Sequence, residues 1–298
     1  MKLYHRLAML QFSMKTALIT GSNGFVGRHL SAALEKNKIK VIKFSRSANQ
    51  QLTRPEDFMA LPPVDTVFHL AAVSGYKDCN DNTALAYEVN VLGTVNVLEY
   101  CRRVKAKLIF PSTYIYDVPY ENYKKEIDPA KPMTHYSFTK SLGETLCRFY
   151  SRTFKVNTLI LKTANVYGAG QSKIYLIPII AEHLKTNRVL HLTKPDIERC
   201  FIYIDDLIDA YIKLANSPTV PGEVFNVSAN EATTIANLLK TVTKVTGKTI
   251  KVNYSGQGRP HEIGLNRIDI SKIKQTINWQ PKVSLEQGLK KLQRSHNL

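Results

Sequence analysis

The chain has 298 residues, is 44% hydrophobic and carries a formal charge of +17, enough apolar content for a sizeable core in one large domain or two lobes. No apolar run approaches the ~18–20 residues of a membrane span. Four cysteines (Cys79, Cys101, Cys147, Cys200) lie without Cys-x-x-Cys spacing, which argues against a disulfide framework or a metal site and reads as reduced thiols in a cytoplasmic protein.

The chain opens with a weak apolar run, Leu7 to Phe12, broken by Gln11 and lacking a small-residue cleavage site, so no signal peptide is expected. The first thirteen residues read as a tail, with Met14 as an alternative start. A strand is expected near Lys15–Thr20. It runs into Thr20-Gly21-Ser22-Asn23-Gly24-Phe25-Val26-Gly27, and a helix follows over Phe25–Glu35. Strand, glycine turn and helix in that order suit a pyrophosphate. Gly21 permits the tight turn, Gly24 lets backbone approach the phosphates, and Gly27 lets the helix pack on the sheet. The second strand, Ile39–Phe44, ends in Ser45-Arg46-Ser47 with no carboxylate. An acidic residue there would hold the adenosine ribose and repel a 2′-phosphate. Arg46 can instead fork onto a phosphate while Ser45 donates to it.

A third strand is expected near Thr66–Leu70, a helix over Ala84–Arg103 and a strand over Lys107–Pro111. That strand ends in Ser112 and Thr113, hydroxyls where open α/β sheets place ligand chemistry. Tyr136 and Lys140 then stand four apart on one helical face. A free tyrosine titrates near ~10, and a neighbouring ammonium favours the phenolate and moves it toward a working range. Tyr120 and Lys124 repeat the spacing, but they follow Pro119 in a charged stretch that reads as a solvated loop. Tyr136 opens a helical pattern through Phe138, Leu142, Leu146 and Phe149, with the helix expected over Phe138–Arg152. A fifth strand follows near Asn157–Leu161.

After about Thr163 the pattern becomes shorter and mixed. The expected division is 1–163 for a nucleotide-binding domain and 164–298 mainly for a substrate-binding lobe. Phe201–Tyr203 and Glu223–Val227 are candidates to rejoin the first sheet or its rim. From Lys240 onward there are twelve Lys/Arg against three Asp/Glu. These charges are dispersed and no aromatic ladder interleaves them, so a solvated basic surface is expected and nucleic acid is not. Weak attraction to an anionic membrane surface is compatible with the charge.

Together these segments resemble an extended short-chain dehydrogenase/reductase of the nucleotide-sugar epimerase/dehydratase/reductase type, from about Lys15 to Leu289. The matching motifs are Thr20–Gly27, His69-Leu70-Ala71-Ala72, Asn90-Val91-Leu92-Gly93-Thr94, Pro111–Asp117, Tyr136 with Lys140, Asn165-Val166-Tyr167-Gly168, Arg199–Asp206, Phe225-Asn226-Val227, Arg259-Pro260 and Asn278–Pro281. Asp117 and Cys200 depart from the family's glycine and aspartate. Where the family's 4,6-dehydratases carry an Asp-Glu pair, this chain has no carboxylate pair and places Tyr114 and Ile115 nearby, so dehydration is not expected.

The resemblance implies an α/β, Rossmann-type, doubly wound parallel sheet with a smaller C-terminal substrate-binding lobe. It implies catalysis by Ser112, Tyr136 and Lys140. Cofactor contacts are expected from Gly21, Asn23, Gly24, Phe25, Val26, Gly27, Ser45, Arg46, Leu70, Ala71, Ala72, Asn90, Tyr136 and Lys140. Substrate contacts are expected from Ser112, Thr113, Tyr136, Asn165, Arg199 and Arg259. His69 reads as held by backbone hydrogen bonds, outside the chemistry. NADP(H) is expected over NAD(H). The leading expectation is reduction of a 4-keto sugar nucleotide, followed by 4-epimerisation of a nucleoside-diphosphate sugar. A non-catalytic nucleotide-sensing or RNA-binding relative is the reading from another class. Assembly as a homodimer is left open.

Overall fold

The computed structural model describes residues 14–115, 123–229, 231–258, 264–265, 267–295 and 298. Its strands are β1 (Thr16–Thr20), β2 (Lys40–Phe44), β3 (Thr66–His69), β4 (Lys107–Thr113), β5 (Thr158–Thr163), β6 (Asn165–Tyr167), β7 (Leu190–Leu192), β8 (Glu198–Tyr203), β9 (Glu223–Val227), β10 (Ala232–Thr234) and β11 (Val252–Tyr254). Its α-helices are α1 (Phe25–Lys36), α2 (Glu56–Met59), α3 (Tyr76–Asp81), α4 (Thr83–Tyr87), α5 (Gly93–Val104), α6 (His135–Phe154), α7 (Leu176–Thr186), α8 (Ile204–Asn216), α9 (Ile235–Thr246), α10 (Ser271–Ile277) and α11 (Leu285–Arg294).

The chain forms two compact units. The first takes the described residues of Met1–Thr113 with Thr134–Lys162 and Ile208–Phe225. The second takes those of Tyr114–Met133, Thr163–Leu207 and Asn226–Leu298. The first unit is built around a six-stranded sheet of order β2-β1-β3-β4-β5-β9. The pairs β1–β2, β1–β3 and β3–β4 are parallel. The order reverses between β1 and β3. Right-handed crossovers running outward from that point place helices on opposite faces, the doubly wound arrangement. Both faces are therefore covered, which is why the strands are continuous apolar runs. Leu18, Val67, Leu108 and Ile160 lie in one cluster with Phe44, Phe58 and Val97. Ala17, Ile19, Phe68, Ile109 and Leu159 alternate with them and are also fully buried. Of the two segments in question, Glu223–Val227 joins this sheet as β9 and Phe201–Tyr203 does not.

In the second unit, β8 pairs with β10 and β6 in a three-stranded sheet, and β11 pairs with β7. Lys124 belongs here, and it corrects the solvated-loop reading. It is buried and bridges to Ile268, its N–H donates to the Arg267 carbonyl at 2.9 Å, and Asn226 donates to its carbonyl at 3.0 Å. Its backbone finds strand-like partners far along the chain, which local polarity does not reveal. Tyr120 lies outside the described residues.

The helix expected over Ala84–Arg103 is α4, a π-helical turn over Glu88–Leu92, and α5. The cause sits at Asn90. Its side chain grips the backbone of Val73, accepting from its N–H at 2.8 Å and donating to its carbonyl at 3.0 Å. A widened turn at such a point is a recurrent mark of functional sites. All four cysteines are buried free thiols. No helix among the described residues is long and apolar enough to cross a membrane.

Candidate active site

Ligands in open α/β sheets bind at the carboxyl ends of strands where the order reverses. In the first unit that point lies between β1 and β3. The glycine turn follows β1, and His69-Leu70-Ala71-Ala72 spans the end of β3. The two touch: a Cβ added at Gly21 would lie 2.8 Å from both Ala71 Cα and Ala71 N. Gly21 also has φ +69°, a left-handed conformation that favours glycine. A Cβ at Gly27 would collide with the Gly21 carbonyl. Helix α1 then follows Gly24 as its N-cap, with no side-chain cap and no acidic residue in its first turn, and Phe25 and Val26 open it. The buried Ser22 hydroxyl in this turn has no hydrogen-bond partner. A tight turn, an uncapped positive helix end and an orphaned hydroxyl fit the pyrophosphate of a dinucleotide.

The end of β2 lies beside this turn, with Gly21 N–H donating to the Phe44 carbonyl at 3.0 Å. Asn23 Nδ2 donates to Ser45 Oγ at 3.4 Å and to Ser47 Oγ at 2.5 Å, and the two serine hydroxyls stand 2.9 Å apart. Arg46 is exposed on the short 3₁₀ turn Arg46–Ala48. Arg28 donates to the Asn23 carbonyl at 3.1 Å. Ser47 and Arg28 thus extend the expected Asn23–Ser45–Arg46 group.

A directed chain of hydrogen bonds runs from this region toward α6. Ala71 N–H donates to Thr20 Oγ1 at 3.2 Å, and Thr20 Oγ1 lies 2.8 Å from His69 Nδ1. His69 Nε2 lies 3.1 Å from Thr94 Oγ1, whose own proton goes to the Asn90 carbonyl at 2.6 Å. Thr94 must therefore accept from Nε2–H, which leaves Nδ1 to accept from Thr20. Burial drives the imidazole pKa down to about 3, with Lys140 adding to the effect, so the ring is neutral. Asn90 continues the chain by donating to Thr139 Oγ1 at 3.0 Å, and Thr139 donates to the Tyr136 carbonyl at 2.9 Å. His69 is thus held by threonine side chains, which corrects the backbone-bonded reading. Thr20, Thr94 and Thr139 carry roles that the sequence reading missed.

Helix α6 starts one turn earlier than expected. Thr134 and Ser137 form a reciprocal capping box at its N-terminus, which places Tyr136 in the first turn. Tyr136, Lys140, Glu144 and Arg148 follow at four-residue spacing on one stripe. Lys140 is buried with its ammonium 4.4 Å from the centre of the Phe110 ring, and burial lowers its pKa to about 8. It stays largely cationic at neutral pH. Gly143 lets the helix settle on Phe110, whose ring occupies the space a side chain there would need. Two residues beyond Phe110, Ser112 Oγ donates to Glu144 Oε1 at 2.6 Å. Thr113, also buried, ends β4. Ser112, Lys140 and the helix that carries Tyr136 thus meet within one unit.

Asn165 and Arg199 belong to the second unit. Asn165 Nδ2 donates to the Tyr114 hydroxyl at 2.5 Å and to the Cys200 carbonyl at 3.2 Å. Arg199 donates to the Glu198 carbonyl at 2.8 Å. Tyr114 is buried and its phenol pKa is pushed up by desolvation, so it stands neutral. Arg259 lies outside the described residues.

The family model for the NAD dependent epimerase/dehydratase family matches residues 17–228. The chain belongs to this family. Within the epimerase/dehydratase family, an uncharacterised UDP-glucose epimerase of Bacillus subtilis is 27% identical over 302 residues, covering 91% of this chain and 95% of that protein. The crystal structure of a Thermus thermophilus UDP-glucose 4-epimerase in complex with NAD superposes with a TM-score of 0.84 at 26% identity, covering 95% of this chain and 98% of that one. The RMD protein of Pseudomonas aeruginosa, complexed with NADPH, shares the fold with a TM-score of 0.82 at 22% identity, over 95% of this chain and 99% of that one.

Proposed function

We propose that this family member acts on a nucleoside-diphosphate sugar by reversible oxidation at C4, and that it is a 4-epimerase. The observation that carries the reading is that Ser112 packs against α6, the helix that carries both Tyr136 and Lys140, in the unit that also holds the glycine turn. A nicotinamide dinucleotide, its pyrophosphate held by Gly21–Gly27, would supply the hydride acceptor and donor. Tyr136 takes the sugar hydroxyl proton and returns it. The Lys140 ammonium stabilises the phenolate electrostatically. Ser112 orients the reacting oxygen, with Thr113 beside it. Leu70, Ala71, Ala72 and Asn90 line the cofactor side. Asn165, Arg199 and Arg259 are assigned to the diphosphate and nucleoside, with residues 164–298 as mainly the substrate-binding lobe. Near-full-length likeness to UDP-glucose epimerases supports epimerisation over the net reduction expected first from the sequence.

A second reading, reduction of a 4-keto sugar nucleotide, is favoured by one observation. The end of β2 presents Ser45, Arg46 and Ser47 without a carboxylate, which suits the 2′-phosphate of NADPH. The deciding experiment incubates the purified chain with UDP-sugars and 4-keto sugar nucleotides, following reduced-cofactor absorbance and product stereochemistry together. Epimer pairs formed without net cofactor consumption support the epimerase. Stoichiometric NADPH oxidation with no epimer formation replaces it with the reductase. Inertness toward the whole panel overturns both.

A further inference from the structure

Lys140 is buried, and among the described residues no protein group gives its nitrogen a hydrogen bond or an ion pair. An ammonium taken out of water is costly unless something replaces the lost solvation. Of the titratable groups around it, Cys147 and Glu144 stand on α6, Cys79 on α3 and His69 at the end of β3, with Tyr136 one turn back. Burial keeps both thiols protonated and the imidazole neutral, and Glu144 is engaged by Arg148 and Ser112. What meets the ammonium at contact distance is the Phe110 ring, with its centre 4.4 Å from Nζ. An aromatic face carries partial negative charge and attracts a cation within ~6 Å of its centre, most strongly away from water. This ring has no room to turn away. It is buried, its far edge abuts Gly143, and the His69 ring lies 6.0 Å from it.

We propose that Phe110 is a positioning residue for Lys140: its ring face holds the ammonium and keeps it charged, one helical turn from Tyr136. The inference rests on the reading of Lys140 as the group that stabilises the Tyr136 phenolate. A carboxylate paired directly with Lys140 would cancel much of the field that favours the phenolate and would occupy the ammonium protons. The ring stabilises the cation without a net charge of its own, so the field at Tyr136 survives. It does so whether Tyr136 is protonated or not. Phe110 therefore acts on the proton of Lys140 and not on that of Tyr136. Burial draws the Lys140 pKa down to about 8, and the ring opposes that pull. Weakening the ring face is felt on the alkaline side, where Lys140 gives up its charge.

The test replaces Phe110 in the full chain with mono-, di- and trifluorinated phenylalanine by nonsense suppression. The ring keeps nearly its shape while its face loses negative charge step by step. Thermal melting monitors folding. The carbon NMR resonance of Lys140 Cε, assigned by its absence from Lys140→Met, is titrated in the cofactor-free protein and reads the charge without turnover. The trifluorinated ring is expected to lower the charged-to-neutral ratio of Lys140 about three- to thirtyfold, with the other rings in between. In the holoenzyme, the alkaline limb of the kcat/KM profile should move to lower pH in the same order, and the acid limb should stay in place. A Lys140 titration indifferent to fluorination overturns the inference, and so does a graded titration with an unmoved alkaline limb. Losses of melting temperature and turnover that do not follow the fluorine count reduce the ring to packing and overturn it as well. An inert substrate panel overturns the proposed function, while the Lys140 titration still decides whether the ring holds the charge.

Discussion

The Phe110 ring fills the space beneath Gly143, so that a Cβ added at residue 143 would lie well under 3.0 Å from its Cζ. This contact sets how closely β4 approaches α6, and therefore whether Ser112 reaches Glu144. Two effects compete in Gly143→Ala. Alanine in a helix interior gains roughly 0.5–1 kcal/mol over glycine. Overpacking against a ring costs about 1–3 kcal/mol and wins. We predict a lower melting temperature and lower turnover, with both partly restored by Phe110→Leu in the same chain. A Gly143→Ala protein more stable than the original would show that the ring yields freely.

Tyr136→Phe should reduce turnover on the order of 10²–10⁴-fold, the usual scale of general acid–base help, while cofactor affinity stays within a few-fold. Steady-state kinetics with a separate cofactor titration checks this. Retention of most activity removes Tyr136 from the proton-transfer role.

Arg46→Ala should weaken NADPH much more than NADH. A charge-assisted contact to the 2′-phosphate is worth about 1.5–3 kcal/mol, roughly ten- to a hundredfold in affinity. Ser47→Ala should act in the same direction and less strongly, since its hydroxyl belongs to the Asn23–Ser45 group. Equal weakening of both cofactors, read by fluorescence titration, would mean that Arg46 does not contact the 2′-phosphate.

His69 predicts a pH dependence of stability. The folded imidazole has its pKa pushed down to about 3 by burial, whereas an unfolded histidine titrates near ~6.5. Between those values the unfolded chain takes up a proton that the folded chain refuses. Stability is therefore lost as pH falls from about 6.5 toward 3, by at most roughly 5 kcal/mol. Urea unfolding at pH 7 and pH 5 should show the decline, and His69→Gln should flatten it. An equal slope in the variant would assign the acid sensitivity elsewhere.

The parts of this protein that were legible in the sequence are those fixed by local pattern. The glycine turn, the strands β1 to β5 within a residue or two, and the Tyr136–Lys140 spacing needed only neighbours along the chain. The π-helical turn at Glu88–Leu92 did not show, because its cause is Asn90 bracing the backbone at Val73, far from the helical periodicity. The Thr20–His69–Thr94 chain was invisible because each hydroxyl lies on a different element. Glu144 could have been suspected from the four-residue spacing through Tyr136, Lys140 and Arg148. Its partner Ser112, however, is reached only through the packing of Gly143 on Phe110. The burial of Lys124 depends on a bridge to Ile268 that no local reading supplies.

The first unit is built from separated stretches of chain, and this sets a timetable for its birth. Lys107, at the start of β4, buries its ammonium against the carbonyls of Leu214, Ala215 and Ser217 at 2.8–3.1 Å. The sheet gains its last strand, β9, only after residue 223. At ~5–20 residues per second, a ribosome that has finished Lys162 needs about three to eleven seconds to reach Ser217, the last of those acceptors. Through that interval β5 is a bare sheet edge and the Lys107 ammonium lacks its acceptors. The nascent chain is then most exposed to wrong strand pairing, and a chaperone would find its target at β5.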